Sequence, residues 1–168
     1  MAHAKIRLGV GVMEVKTGYL YHIKDEFFDV VNDDNLMTNH ERGKKRPTYF
    51  TIKDKDILWF IPLSSKVDKY RKILDNKMKK YGRCDTILIR EILGKDSVVL
   101  LQNAFPTLEK YIDHEHLLDN GKPAKVVETL KDEILQNFKY LLKLKSKGVN
   151  LFFTDIDKIK KQMLEELK

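Results

Sequence analysis

Ser64-Ser65-Lys66 sets two adjacent hydroxyls and an ammonium at one point of the chain. Upstream, His40-Glu41-Arg42-Gly43-Lys44-Lys45-Arg46 sets an imidazole and four cations against one carboxylate. Hydroxyls and backbone amides hydrogen-bond phosphate oxygens, and Lys and Arg neutralise their charge. An imidazole exchanges protons near neutral pH. Together these groups can bind a phosphodiester and assist its cleavage. A second basic stretch spans residues 66–83, where Lys66, Lys69, Arg71, Lys72, Lys77, Lys79, Lys80 and Arg83 stand against Asp68 and Asp75, eight cations minus two anions or +6. Tyr49, Tyr70 and Tyr81 fall close by in sequence and are candidate stacking faces for unpaired bases.

These residues do chemistry together only if the chain brings them to one place. Thr48–Ile52 and Ile57–Leu63 read as paired strands around the turn Lys53-Asp54-Lys55-Asp56. The second, Ile57-Leu58-Trp59-Phe60-Ile61, is apolar on both faces, as a central buried strand should be. Pro62 cannot donate to a ladder, so the chain is expected to leave the sheet there and hold Ser64 and Ser65 at a strand end. The first basic run precedes one strand and the second follows its partner, so an antiparallel hairpin makes the two clusters neighbours.

The remaining elements support such a sheet. Tyr19–Ile23 reads as a strand and Lys24–Val31 as a short helix. Thr38–Pro47 reads as a long exposed loop. Val67, Tyr70, Ile73, Leu74 and Met78 recur at helical spacing, and Gly82 ends that helix. Thr86–Ile92 and Ser97–Leu101 form a second hairpin, and Leu108–Ile112 reads as a short helix. A long helix runs from Val126 to about Lys145. Thr154 and Asp157 resemble a capping box opening a last helix from Asp155 to Leu167. Strands first and helices later imply an α+β fold on an antiparallel sheet. Residues 1–12 read as an N-terminal extension outside the fold, and 13–168 as a single domain.

Composition narrows the function. The 168 residues carry a net charge of +7, which favours polyanionic partners. A single cysteine, Cys84, permits no internal disulfide and suits a reducing cytoplasm; it reads as a half-buried structural thiol. No apolar run is long enough to span a bilayer, so no membrane association is expected. His114-Glu115-His116 lacks the HExxH spacing and reads as a surface segment. His22, in a strand, reads as structural. Gly9-Val10-Gly11 lacks the context of a nucleotide-binding turn, and no Ser-His-Asp triad can be assembled. No metal or cofactor is expected.

The segment Arg46-Pro47-Thr48-Tyr49-Phe50-Thr51-Ile52, followed by a hairpin and by Trp59-Phe60-Ile61-Pro62-Leu63-Ser64-Ser65-Lys66, resembles the toxins of type III toxin–antitoxin systems, the ToxN/AbiQ/CptN group. Gly18-Tyr19-Leu20-Tyr21-His22-Ile23-Lys24-Asp25-Glu26-Phe27-Phe28 is similar to the CptN branch in particular. The resemblance runs from about Gly18 to Lys72. It implies a twisted antiparallel sheet like the MazF/Kid-like toxin barrel, with surrounding helices and a helical C-terminal region. It implies a metal-independent endoribonuclease cutting single-stranded RNA to 2′,3′-cyclic phosphate and 5′-hydroxyl ends, with cellular or phage RNA as substrate. It implies inhibition by an antitoxin RNA, a repeated pseudoknot that the toxin processes and that then forms a closed assembly with it. Ser64 and Ser65 match the group's hydroxyl pair. The following lysine corresponds to Lys66, offset by one position, or to Lys69; the upstream lysine corresponds to Lys45 or Arg46; His40 occupies the region of the group's tyrosine.

The expected catalytic set is therefore Ser65, Ser64, Lys66, Lys45 and His40. The expected RNA-binding set is Arg42, Lys44, Arg46, Tyr49, Lys69, Arg71 and Lys72. Other readings of the same residues stay open: serines that only cap the following helix, a loop histidine without a role, an RNA- or DNA-binding module without catalysis, and a protein-interaction domain docking through its C-terminal helices.

Overall fold

The computed structural model describes residues 3–8 and 11–168, with side chains from Glu14 onward. Strands β1 (His3–Leu8) and β2 (Gly11–Lys16) pair antiparallel. The expectation that 1–12 stand apart from the fold rests on side chains outside the described residues.

The main sheet grows from β7 (Ile57–Ser64), all eight residues of which are buried. Its hairpin partner is β6 (Thr48–Asp54), with Thr48 opposite Pro62 and Asp54 opposite Ile57. β3 (Leu20–Ile23) follows β6, and β11 (Ile112–Glu115) closes that side. On the other side of β7 lie β10 (Phe105–Thr107), against Leu58–Phe60, and β9 (Lys95–Leu100), against Leu63 and Ser64. β8 (Ile87–Ile92) pairs with β9 and ends the sheet. β8 and β11 do not pair with each other, so among the described strands the expected antiparallel sheet is an open one.

The chain does not leave the sheet at Pro62. Leu63 donates its N–H to Pro47 O at 3.2 Å, towards the β6 side, so by strand alternation the nitrogen of Pro62 faces the opposite edge. There β10 has ended and β9 begins. The missing donor falls in the junction between two partners, and the strand continues through Ser64.

Among the described residues four α-helices complete the α+β fold. α1 (Asp25–Val30) follows β3, and α2 (Val67–Tyr81) leaves β7 directly and packs on β8 and β9 through Tyr70, Ile87, Val98 and Leu100. Gly82 ends α2 in the left-handed conformation at φ 73°, which glycine adopts without strain. α3 (Glu128–Ser146) and α4 (Ile156–Glu166) cover the sheet. Trp59 of β7 meets Phe138 of α3 at 5.7 Å between centroids, and Phe60 stacks on Phe105 of β10. Two local expectations change. Leu108–Ile112 is a 3₁₀ turn (Glu109–Tyr111) leading into β11. Asp155, not Thr154, caps α4 by accepting from Lys158 N, and the Thr154 hydroxyl is donated to Ala104 O.

Candidate functional site: a serine-lined cup beneath a basic tongue

The segment expected to be a loose loop is a short hairpin. β4 (His40–Glu41) pairs with β5 (Lys44–Lys45), and Arg42 and Gly43 form the turn with φ of 54° and 76°. Two successive positive φ values define the type I′ turn that matches strand twist. Arg46 ties this tongue to the sheet. Its side chain is 5% exposed, and it donates to Thr38 O and Leu63 O at 2.9 and 2.8 Å. Asn39, also buried, donates to Ile23 O and to Asp25 Oδ1, both at 2.8 Å. The expected convergence holds: with Thr48 opposite Pro62, the tongue at the start of β6 lies over the end of β7.

Alternation along the tongue sends neighbouring side chains to opposite faces. Glu41 points to the serines. Its Oε1 accepts from Ser65 N at 2.8 Å and from the Ser65 hydroxyl in a very short contact. Its Oε2 accepts from Ser64 Oγ at 3.0 Å and from Arg46 Nη1 at 2.6 Å. Ser64 is buried and Ser65 exposed, and Ser64 Oγ also accepts from Lys66 N at 3.2 Å. Burial acts to raise the Glu41 carboxyl, but the Ser65 donors, the Arg46 charge and Ser64 outweigh it and hold it at about 2. Such a carboxylate is permanently ionised and a poor general base. The serines do more than cap: Lys66 is the N-cap of α2 and its own side chain makes no cap bond, while Ser64 takes the Lys66 N–H and donates to Glu41.

The other face of the tongue carries an imidazole and an ammonium, each on a carboxylate. His40 Nε2 pairs with Asp25 Oδ1 at 2.8 Å, both exposed. The hydrogen bonds from Asn39 and His40 hold Asp25 below the usual carboxylate range. Lys45 Nζ lies 2.6 Å from Asp113 Oδ2, and His114 Nδ1 lies 3.3 Å from the same oxygen. His114 stacks on His22 at 4.7 Å between centroids, and His22 Nε2 meets His116 Nδ1 at 2.8 Å. Burial first, then the neighbouring imidazoles, pushes His22 down to about 4, and burial lowers His116 as well. His114-Glu115-His116 is thus more than a surface segment: its two histidines join strand residue His22 in a cluster next to Lys45.

No protein-family model matches the sequence, and no curated protein matches it by sequence. A solved structure does match by shape. The chain is similar in fold to AbiQ. That protein is a lactococcal anti-phage endoribonuclease belonging to the type III toxin–antitoxin system; the superposition has a TM-score of 0.69, covers 91% of this chain and 100% of AbiQ, and aligns residues that are 14% identical. At that identity the likeness to AbiQ establishes the α+β architecture.

The structure sorts the expected site residues into three groups. Ser64, Ser65 and Arg46 meet in the cup. His40 and Lys45 lie across the tongue, each on a carboxylate. Arg42, Lys44, Lys66, Lys69, Arg71 and Lys72 are exposed around the tongue and the first turns of α2. Two residues depart from their expected roles. Tyr49 is 0% exposed and offers no face to a base; it points inward from β6. Arg46 is buried against Glu41 and backbone carbonyls and is not an outward-facing RNA contact. Of the other tyrosines, Tyr70 is buried and Tyr81 is 64% exposed. Sequence reasoning missed Glu41, Asp25 and Asp113. A lone acid inside a basic run was the available signal for Glu41. Asp113 carried none, because its partner Lys45 is remote in sequence.

Among the described residues no helix is long and apolar enough to cross a membrane.

Proposed function

We propose that the chain is a metal-independent endoribonuclease toxin of a type III toxin–antitoxin system, similar to the CptN branch. One observation carries the reading: in a fold shared with an endoribonuclease, Ser64 Oγ, Ser65 Oγ, Ser65 N and Arg46 Nη1 converge on a single oxyanion at the end of the central strand. The N-terminus of α2 adds its partial positive charge beside them.

In this reading the RNA supplies its own nucleophile. The 2′-hydroxyl attacks the adjacent phosphorus, the 5′-oxygen leaves, and 2′,3′-cyclic phosphate and 5′-hydroxyl ends result. The serine donors hold the scissile phosphate and Lys66, at the start of α2, stabilises the charge that develops on it; Lys45 and His40, on the far face of the tongue, reach the phosphate as the tongue lifts off the cup. His40 transfers a proton, with Asp25 orienting the ring and stabilising its charged form. Arg42, Lys44, Lys69, Arg71 and Lys72 track the backbone of single-stranded cellular or phage RNA. The same basic surface takes the antitoxin RNA, a repeated pseudoknot, in a closed cytoplasmic assembly, and releasing the toxin during phage infection gives abortive infection.

Incubating the wild type and Ser65→Ala with single-stranded RNA in EDTA tests this. The wild type should cut and leave cyclic phosphate ends, and Ser65→Ala should be slower by about 10²–10³-fold, as for loss of an oxyanion donor. RNA left intact by both proteins, or cut equally by both, would refute the site. A second reading, RNA binding without cleavage, is favoured by one observation: every serine donor is already committed to Glu41.

A further inference from the structure

We infer that the cup of Ser64, Ser65 and Arg46 is a phosphodiester-binding site whose resting occupant is the Glu41 carboxylate, so that RNA must displace Glu41 to bind. This rests on the endoribonuclease reading for its ligand and goes beyond it in assigning Glu41 the place of the substrate phosphate.

Donor supply decides the exchange. A serine hydroxyl has a single proton to donate and a backbone amide has one. Ser64 Oγ, Ser65 Oγ and Ser65 N all spend theirs on Glu41. A phosphate arriving while Glu41 is seated would find only lone pairs on these hydroxyls and a carboxylate of its own sign. The serines can therefore hold phosphate only after Glu41 leaves. The cup is built for an anion regardless of which one fills it. Arg46 is more than nine-tenths buried with its Nη1 on the carboxylate, and α2 starts beside Ser65. A phosphodiester, anionic at every physiological pH, presents two oxygens as a carboxylate does. The low pKa of Glu41 reports the same donor set from the carboxylate's side.

The exchange is mechanically simple. Glu41 belongs to a two-residue strand closed by a tight turn, so its side chain moves with few ladder bonds to break. When it swings out, the exposed cations Arg42 and Lys44 of the same tongue travel with it. RNA that engages those cations pulls on the carboxylate that blocks its path, and substrate binding opens the site it needs.

The test compares Glu41→Gln with the wild type for binding of a single-stranded 2′-O-methyl oligonucleotide, which cannot be cleaved by 2′-hydroxyl attack, using fluorescence anisotropy. Asp68→Asn, which removes an exposed charge from the first turn of α2 without opening the cup, is the control. Glu41→Gln should bind about tenfold or more tightly, with Asp68→Asn within about twofold of wild type. Equal or weaker binding by folded Glu41→Gln overturns the inference, as does an equal gain in Asp68→Asn, which would reveal a mere charge effect. Should Glu41→Gln fail to fold, Glu41→Asp, one methylene too short to span the cup but still a partner for Arg46, decides by the same criterion. Cleavage of unmodified RNA separates the two proposals. Tighter probe binding without cleavage by any variant leaves the cup standing and removes the nuclease reading. Cleavage by the wild type without tighter binding in the variant does the reverse.

Discussion

On one face of the tongue, Glu41 is saturated by Ser64, Ser65 and Arg46. On the other, His40 and Lys45 each hold one carboxylate, Asp25 or Asp113, at the protein surface. The first face fixes charge: its carboxylate is driven far below neutrality and its arginine is buried. The second keeps an imidazole and an ammonium, each on its own carboxylate, in contact with solvent. In the proposed reaction the first face would take the phosphate and the second would handle protons; a hairpin of two-residue strands separates the two by alternation alone.

The contrast breaks most severely at Arg46. Replacing it by Ala removes the buried guanidinium and strips the half-buried Glu41 of its charge partner, and breaking a buried pair costs up to about 3–5 kcal/mol. Urea unfolding should show a loss of that size for Arg46→Ala. A loss below about 1 kcal/mol would place Arg46 with the surface pairs and erase the difference between the faces.

Acid titration sharpens the comparison further. The His22 pKa is lower in the folded protein than in the unfolded chain, so its contribution is complete above pH 6.5 and is lost as pH falls from 6.5 through about 4. That is up to about 3 kcal/mol at 1.36 kcal/mol per unit. Glu41 is also lowered, so its contribution is complete above 4.5 and is lost as pH falls towards about 2. Between pH 6.5 and 4.5 the histidine cluster should control stability, and below 4.5 the cup should add its own loss. His22→Gln should flatten the upper arm of the profile and Glu41→Gln the lower arm. An upper arm unchanged by His22→Gln would mean that the cluster is not held neutral by burial.

How far these faces could be read in the sequence follows the range of the interactions. Strand β7, the hairpin and the amphipathic helix α2 rest on periodicity and turn composition, which are local, and they stand close to their expected bounds. Pro62 misled because a missing N–H says only that no ladder bond forms there; that it falls at the junction of β10 and β9 depends on strands far along the chain. The tongue was hidden because two-residue strands carry no period to detect. The serines were legible as hydroxyls at a strand end, while their carboxylate partner was hidden inside a run dominated by cations. Tyr49 shows a more general limit. A tyrosine beside a basic loop and a tyrosine in the core have the same letter, and only the register of β6 against β3 and β7 turns its ring inward.

Lys45 tests the open face directly. Lys45→Ala removes a cation from the proposed reaction but only a partly exposed ion pair from the fold, since Lys45 and Asp113 are 28% and 35% exposed. Stability should fall by no more than about 1 kcal/mol, while cleavage should slow by about 10–100-fold through lost charge stabilisation. A large fall in Tm with unchanged cleavage would reverse the assignment of the two faces.

The smallest effect is expected at Tyr49, the residue that leaves the RNA-binding set. Its ring fills the core and its hydroxyl is buried without a hydrogen-bond partner, while burial raises the phenol above its usual range. Phenylalanine keeps the ring and drops a polar atom that is desolvated without compensation. Unmet polar groups of this kind cost about 1–3 kcal/mol, and relaxation around the site reduces what can be recovered. Tyr49→Phe should therefore be neutral or stabilising by up to about 1 kcal/mol in chemical denaturation, and should bind the 2′-O-methyl oligonucleotide as the wild type does. Tyr81→Ala, at an exposed ring, is the matched comparison, because any stacking contribution of the tyrosines on α2 and β6 has to come from a face that RNA can reach. If Tyr49→Phe weakened RNA binding while Tyr81→Ala did not, the hydroxyl of Tyr49 would have to reach the nucleic acid, and β6 would have to open for that to happen.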